Sequence, residues 1–221
     1  METDYAKIRE GLRMLREASP APNVFGAEAH GFRIHPPLSE AAVRDFEDRH
    51  RIRLPADYRG FFIHVGNGGA GPAWGLFKLG EMDGAVRHKR WKESDGFVGA
   101  LAEPFPHTAA WNDRAGEPEY DESREDDPTW EDEYERRLSV WEQRYWDPAN
   151  VNGAIPVCHL GCAYRQWLVI TGPEAGHVWD DDRANLGGLK PLRQNGRERV
   201  TFGQWYGDWL DEALQQLRRG G

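Results

Sequence analysis

Three consecutive carboxylates are the clearest place for chemistry in this sequence. Asp180, Asp181 and Asp182 follow Trp179 at the end of a short apolar segment. Clustered carboxylates hold magnesium or divide acid and base roles between them, but Arg183 follows directly and would neutralise part of the cluster. The alternative is a turn at a strand end, in which one Asp accepts hydrogen bonds from backbone amides. We favour the turn and keep a metal-dependent hydrolase as the last of three functional hypotheses.

A second candidate combines sulfur and imidazole groups. Cys158, His159 and Cys162 lie close together, and His177 is the only nearby addition. A structural zinc site needs four ligands at familiar spacings, and Cys–His nucleophilic catalysis is the other possibility. Because Cys158 lies in an apolar stretch, where free cysteine packs as a small apolar side chain, we favour a purely structural role.

Two further segments resemble binding motifs. The glycine-rich run at residues 66–71 follows a predicted helix and lacks the Lys-Ser/Thr of a phosphate-binding loop, so we interpret it as a helix end and a turn. The basic segment Arg87–Lys92 contains Trp91 and suits either nucleic-acid contact or a solvated loop. No Gly-x-Ser-x-Gly elbow is present. The sequence therefore predicts no catalytic residue, no cofactor and no metal site, and the protein is expected not to be an enzyme.

The charge is concentrated in one stretch of the chain. The formal net charge is -9, and residues 113–147 contain fourteen acidic and five basic residues, which account for all of it. Such a surface disfavours nucleic acid and anionic membranes and favours a basic protein partner.

The acidic stretch lies within a predicted insertion at about residues 107–148. Asp127 is a candidate N-cap for a helix that opens at Pro128, and Asp147-Pro148 ends it. One face of this helix is aromatic and the other acidic. The residues that we predict to contact a partner are Asp121, Glu122, Glu125, Asp126, Asp127, Trp130, Glu131, Glu135 and Trp146. The tryptophans have an alternative role, which is to pack this helix onto the domain.

The rest of the chain predicts a single α+β domain over residues 1–221. An N-terminal helix is expected at residues 3–18, a second helix is capped by Ser39, and a third follows Pro55. Strands are expected at residues 74–79, 97–105, 155–159, 164–171 and 177–180. Thr201 and Gln204 form a capping box before the last helix. This order favours a central, mainly antiparallel sheet flanked by helices.

The compartment is expected to be the cytoplasm. The start of the chain lacks the cationic and apolar stretches of a signal peptide, and no segment reaches the roughly 20 apolar residues of a membrane span. The two cysteines suit a reducing environment.

Three segments together resemble the SUKH superfamily, the Smi/Knr-like proteins. Residues 54–69, LPADYRGFFIHVGNGG, are similar to the family's LPxxYxxFL…NGG element. Residues 153–162 are similar to its central strand and following glycine turn, and residues 167–180 to its LVVTG…G-x-VW hairpin. The resemblance covers about residues 38–80 and 150–217, and leaves out the insertion.

This resemblance implies an α+β fold without catalytic residues. Bacterial members are mostly immunity proteins that neutralise a cognate toxin, often a basic nuclease or deaminase, and eukaryotic members regulate cell-wall assembly through protein contacts. Our first hypothesis is therefore an immunity protein whose insertion binds a basic toxin domain. The second is a regulatory scaffold protein with several partners.

Overall fold

The computed structural model describes residues 3–83, 88–90 and 98–220. Within these ranges the helices are α1 (Tyr5–Glu17), α2 (Ala27–His30), α3 (Glu40–His50), α4 (Ala56–His64), α5 (Pro128–Tyr145) and α6 (Phe202–Gly220). The strands are β1 (Glu81–Asp83), β2 (His88–Arg90), β3 (Ala154–Gly161), β4 (Tyr164–Val169), β5 (Val178–Asp181) and β6 (Leu189–Pro191). Short 3₁₀ turns cover Glu122–Arg124, Pro148–Val151 and Arg183–Asn185.

The centre of the fold is an antiparallel sheet in the order β3-β4-β5-β6. Consecutive strands are neighbours throughout, so the sheet is a meander, and Trp167 of β4 pairs with Trp179 of β5. The separate pair β1–β2 is also antiparallel. The predicted α+β class with an antiparallel sheet is confirmed.

Both edges of this sheet are covered by other parts of the chain. At the β3 edge, the Phe77 amide donates to the Val157 carbonyl at 2.8 Å. At the β6 edge, Trp111 and Leu189 exchange two backbone hydrogen bonds of 2.7 Å. Such coverage protects the edges of a sheet from pairing with another chain.

One face of the sheet packs against α6. Gln166 links the two layers, because its Oε1 accepts from the indole Nε1 of Trp205 at 3.0 Å and from the Cys158 thiol at 3.3 Å. Helices α1 and α4 contact α6 in turn. Gly11 of α1 lies so close to α6 that a Cβ there would be 3.2 Å from Leu210, which explains a glycine inside this helix.

The opposite face of the sheet packs against residues 98–111. Side chains alternate between faces along a strand, so Trp167, Trp179 and Asp181 lie on the face away from Gln166. Phe105 contacts Trp179 there, with ring centroids 4.8 Å apart. The sheet is therefore the middle of three layers.

The segment at residues 54–69 has a structural role in this arrangement. Asp57 Oδ1 accepts from the Tyr58 amide at 2.8 Å, and its Oδ2 accepts from the Gly203 amide of α6, also at 2.8 Å. Asn67 Oδ1 accepts from the Leu79 amide at 3.0 Å. Gly69 has a φ of 113° and bridges Ile34 and Leu76. The prediction that the glycine run is a helix end and a turn is confirmed.

The predicted helix caps are confirmed. Ser39 caps α3, Asp127 caps α5, and Thr201 and Gln204 exchange the two hydrogen bonds of a capping box. The N-terminal helix, expected at residues 3–18, spans Tyr5–Glu17.

Two predicted strands are wrong, and three short strands, β1, β2 and β6, were not predicted. Residues 74–79 form an extended segment with a single bridge at Leu76, because they cover the β3 edge without a continuous ladder. In the predicted strand at 97–105, residues 98–105 form turns and irregular chain, while Phe97 lies outside the described residues. Strand β6 is only three residues long and ends in Pro191, so its sequence carries little strand signal.

Candidate partner-binding surface

The insertion, residues 107–148, divides into a root and a tip. We define the root as residues 107–112 and 141–148, and the tip as residues 113–140. A continuous series of ring contacts joins the root to the sheet. The centroid distances are 6.4 Å for Trp179–His107, 5.1 Å for His107–Trp111, 5.5 Å for Trp111–Tyr145 and 4.7 Å for Tyr145–Trp141. Each such pair adds about 0.5–1.5 kcal/mol beyond the area that it buries, so the root is firmly held.

Hydrogen bonds fix the same root to the turn after β5. The Tyr145 hydroxyl donates to Asn112 Oδ1 at 2.8 Å, and Asn112 Nδ2 donates to the Leu186 carbonyl at 2.7 Å. Asn150 Nδ2 donates to the carbonyls of Arg144 and Tyr145 at 3.0 and 3.2 Å. These last bonds satisfy carbonyl groups that a helix end leaves without intrahelical partners.

A buried ion pair lies beneath the root. Asp181 and Arg183 are 3% and 4% exposed, and Arg183 donates to the two oxygens of Asp181 from Nε at 2.9 Å and from Nη2 at 2.7 Å. Trp167 Nε1 donates to Asp181 Oδ2 at 3.0 Å. The guanidinium of Arg183 lies 4.9 Å from the ring centroid of Trp146, which joins the insertion to the pair through a cation–π contact.

This contact gives Trp146 a packing role. Its ring is half-buried, lies over Arg183 and meets Tyr145 edge-on at 5.8 Å. Trp146 therefore belongs to the root and lies apart from the exposed carboxylates that were predicted to act with it.

The aromatic face of α5 changes character along the helix. Trp141 and Tyr145 are buried, whereas Trp130, Tyr134 and Leu138 are half-buried. Trp130 and Tyr134 stack at 5.5 Å, and Tyr120 meets them at 5.0 and 5.1 Å. Tyr120 remains 47% exposed. The tip thus has a small aromatic cluster of its own, which folds residues 113–127 back onto α5.

Two of the predicted carboxylates organise the tip. Asp127 Oδ1 accepts from the amides of Thr129 and Trp130 at 3.1 and 3.2 Å, and its Oδ2 pairs with Arg124 at 2.8 Å. The Arg124 guanidinium is the main cause of a lowered pKa for Asp127. Asp121 accepts from the Ser123 hydroxyl at 2.7 Å, and this bond lowers the pKa of Asp121. The lowered pKa values favour the ionised form of both carboxylates, of which Asp121 is exposed and Asp127 half-buried.

The other predicted carboxylates have no ion-pair partner among the described residues, and all are exposed. They are Glu122, Glu125, Asp126, Glu131 and Glu135, and we call them the free acids. Glu131 and Glu135 are one helical turn apart on α5, a spacing at which like charges destabilise a helix by a few tenths of a kcal/mol. Ion pairs within the described structure therefore do not account for these five carboxylates, and of them Glu131 lies in the first turn of α5, where a negative charge suits the helix dipole.

The three consecutive aspartates point to different partners. Asp181 takes the buried ion pair and also accepts from the Arg183 amide at 3.1 Å, which confirms the predicted strand-end turn. Asp180 accepts from Gln166 Nε2 at 2.9 Å, and Asp182 lies 3.9 Å from Lys190 Nζ. Within the described ranges, no group of three or more His, Cys, Asp or Glu side chains is placed to hold a metal ion.

The cysteines are also separate. Cys158 is completely buried and its thiol donates to Gln166, whereas Cys162 is exposed; neither forms a disulfide. This arrangement matches the structural role that the apolar stretch around Cys158 predicts.

Asp180 gives a test of how burial affects stability. Burial raises the pKa of this carboxyl, although the hydrogen bond from Gln166 opposes the effect. Because the pKa is raised in the folded state, protonation of Asp180 stabilises the folded protein, and this stabilisation is fully present below the pKa of about 3.9 that Asp has in the unfolded chain. It is lost as the pH rises through the pKa of Asp180 in the folded state. We therefore expect Asp180→Asn to be more stable than the wild type at pH 7, with the difference shrinking towards pH 4.

Urea unfolding at several pH values between 4 and 7 measures this difference. Asp45→Asn, on the exposed face of α3, is the matched control, since it removes a carboxylate from a solvated position. A stability difference for Asp180→Asn that does not change with pH would show that its ionisation is not coupled to folding.

Part of the predicted basic segment Arg87–Lys92 lies outside the described residues, namely Arg87, Trp91 and Lys92. The remaining residues, His88–Arg90, form β2. Of the helices described, none is both long enough and apolar enough to cross a bilayer.

No protein-family model, no curated protein and no solved structure matches the chain. The resemblance to the SUKH superfamily therefore stays a prediction from the sequence.

Proposed function

We propose that this is a non-enzymatic binding protein that captures a basic protein partner with the tip of its insertion. The observation that carries this proposal is the set of free acids, which lie on the first half of α5 and on the turn before it, in an insertion whose root is tied to the core. The proposal extends to the immunity class, in which the partner is a cognate toxin.

The charge of the tip suits recognition of a basic surface. Clustered exposed carboxylates create a negative potential, which accelerates encounter with a basic partner and disfavours an acidic one. Because the root fixes the C-terminal end of α5 and the Tyr120 cluster folds the tip onto its N-terminal half, little ordering entropy is lost on binding. The exposed part of Tyr120 and the half-buried Trp130 offer aromatic contacts within the acidic surround, a composition that is typical of interface hot spots.

The toxin-neutralising part of the proposal is supported by the SUKH resemblance. The residues of that resemblance with polar contacts, among them Asp57 and Asn67, bind backbone amides of the same chain. These residues stabilise the fold. Recognition of the partner would then use other surfaces, as the resemblance to the family implies.

Affinity purification of the tagged protein from its own cells, at low and at high salt, tests the proposal. We expect one stoichiometric partner that is basic, toxic when expressed alone and silenced by this protein, with recovery that falls at high salt because screening weakens exposed charge contacts. Several substoichiometric partners would contradict the immunity assignment and favour the regulatory scaffold. A stoichiometric partner that is recovered equally at low and at high salt would contradict the role of the free acids.

A further inference from the structure

A cationic cleft lies within the acidic insertion. It has a volume of about 370 Å³ and opens between α5 and the chain at Ala115-Gly116. Its lining residues are Ala115, Gly116, Arg136, Arg137, Val140, Trp141 and Arg144. Three of these seven residues are arginines and none is acidic, which is the reverse of the composition around it.

The three arginines differ in how far they are neutralised. Arg136 pairs with Glu133, with an Nε–Oε2 distance of 2.9 Å. Arg144 donates to the Ala115 carbonyl and lies 3.7 Å from Asp113. Arg137 is exposed and has no carboxylate partner among the described residues. The cleft therefore retains one uncompensated guanidinium.

The lining of the cleft also has apolar side chains. Val140, in the C-terminal half of α5, is 61% exposed, and Trp141 beside it is buried. An exposed valine next to a free guanidinium matches a ligand that has one negative group on an apolar stem. Guanidinium groups bind carboxylates through paired, charge-assisted hydrogen bonds.

We propose that this cleft binds a carboxylate carried on an apolar stem, presented by the protein partner as an acidic side chain or a chain end. The inference rests on the proposed function for the source of the ligand. The surrounding net charge favours a single carboxylate over a polyanion, because a more highly charged ligand is repelled more strongly by the acidic tip. A partner bound in this way contacts both the acidic tip and the cationic cleft. Contacts with these two opposite charges fix its orientation on α5.

The first experiment measures the cleft without any partner. N-acetyl-leucine is titrated into the isotope-labelled protein, and amide shifts are followed by NMR up to about 10 mM, a range that detects dissociation constants of about 1 mM. We expect saturable shifts confined to residues around Val140, and none with N-acetyl-leucinamide, which lacks the carboxylate. Absence of saturable shifts in the wild type would overturn the proposal.

Arg137→Gln is the test variant, and Arg219→Gln, on the exposed end of α6, is its matched control. Loss of a charge-assisted hydrogen bond is expected to weaken the probe about tenfold in the first variant and not in the second. Equal binding by both variants would also overturn the proposal. Because Arg137 is exposed, urea unfolding should show that both variants fold normally.

The second experiment separates the two sources of the ligand. If the partner presents the carboxylate, Arg137→Gln weakens the partner complex about tenfold as well, and the probe competes with the partner. If Arg137→Gln affects the probe but not the complex, the cleft takes a free small carboxylate and the partner-presented source is wrong. Failure to find any partner would contradict the proposed function. The experiment with N-acetyl-leucine would still show whether the cleft binds a carboxylate.

Discussion

Replacing Asp181 by alanine is expected to destabilise the protein by about 3–5 kcal/mol. Asp181 and Arg183 are almost fully buried, so the change leaves a charged guanidinium in the interior without its carboxylate. The indole Nε1 of Trp167 and the backbone amide of Arg183 lose their acceptor as well. The effect combines an unpaired buried charge with unsatisfied donors.

Urea unfolding of Asp181→Ala measures this loss, with Glu198→Ala as the control. Glu198 pairs with Arg193 at 2.8 Å, but both side chains are about 70% exposed, so the control should cost at most about 1 kcal/mol. The double variant Asp181→Ala/Arg183→Met removes both charges and should recover much of the loss. If Asp181→Ala cost no more than the control, the buried pair would not be an important source of stability.

Neutralising three free acids is expected to slow association with a basic partner by about tenfold or more at low ionic strength. The variant is Asp126→Asn/Glu131→Gln/Glu135→Gln, which changes side chains that are exposed and have no ion pair within the described structure. The dissociation rate should change less, because exposed charges act mainly on the encounter. The salt dependence of the association rate should flatten in parallel.

Stopped-flow or surface-based kinetics with the purified partner measure these rates. The control is Asp45→Asn/Glu103→Gln/Glu212→Gln, which removes the same formal charge from exposed positions outside the insertion. An equal slowing in both variants would show that overall charge steers the partner, and would remove the special role of the tip. Retained stability of both variants excludes a folding effect.

The parts of the fold that the sequence predicts are those determined locally. Ser39, Asp127 and the Thr201–Gln204 pair lie next to the amides that they cap, so short-range rules find them. Strand β6 and the extended segment at residues 74–79 are determined by what they pair with. Leu189 is held by Trp111 and Phe77 by Val157, and such distant partners leave no periodic signal in a short segment.

The candidate surface shows the same division. The free acids and the aromatic face of α5 follow from composition and helical spacing. The sequence does not show that this aromatic face divides near Leu138, because Tyr145 contacts the distant Trp111 and Asn112, and Trp141 stacks on Tyr145. The cationic cleft was not predicted. Its signal is the spacing of Arg136, Arg137, Val140 and Arg144, which becomes a site only when Ala115-Gly116 folds against the helix.

Trp111 contributes both to the edge of the sheet and to the root of the insertion. This double role limits which part of the insertion can be replaced. Its backbone closes the β6 edge of the sheet, while its ring supports Tyr145 in the root. Excising residues 107–148 as a block would bare a strand edge, which invites pairing with other chains. The replaceable cassette is therefore the tip alone, and a chimera that grafts a new recognition element should retain the root as part of its host.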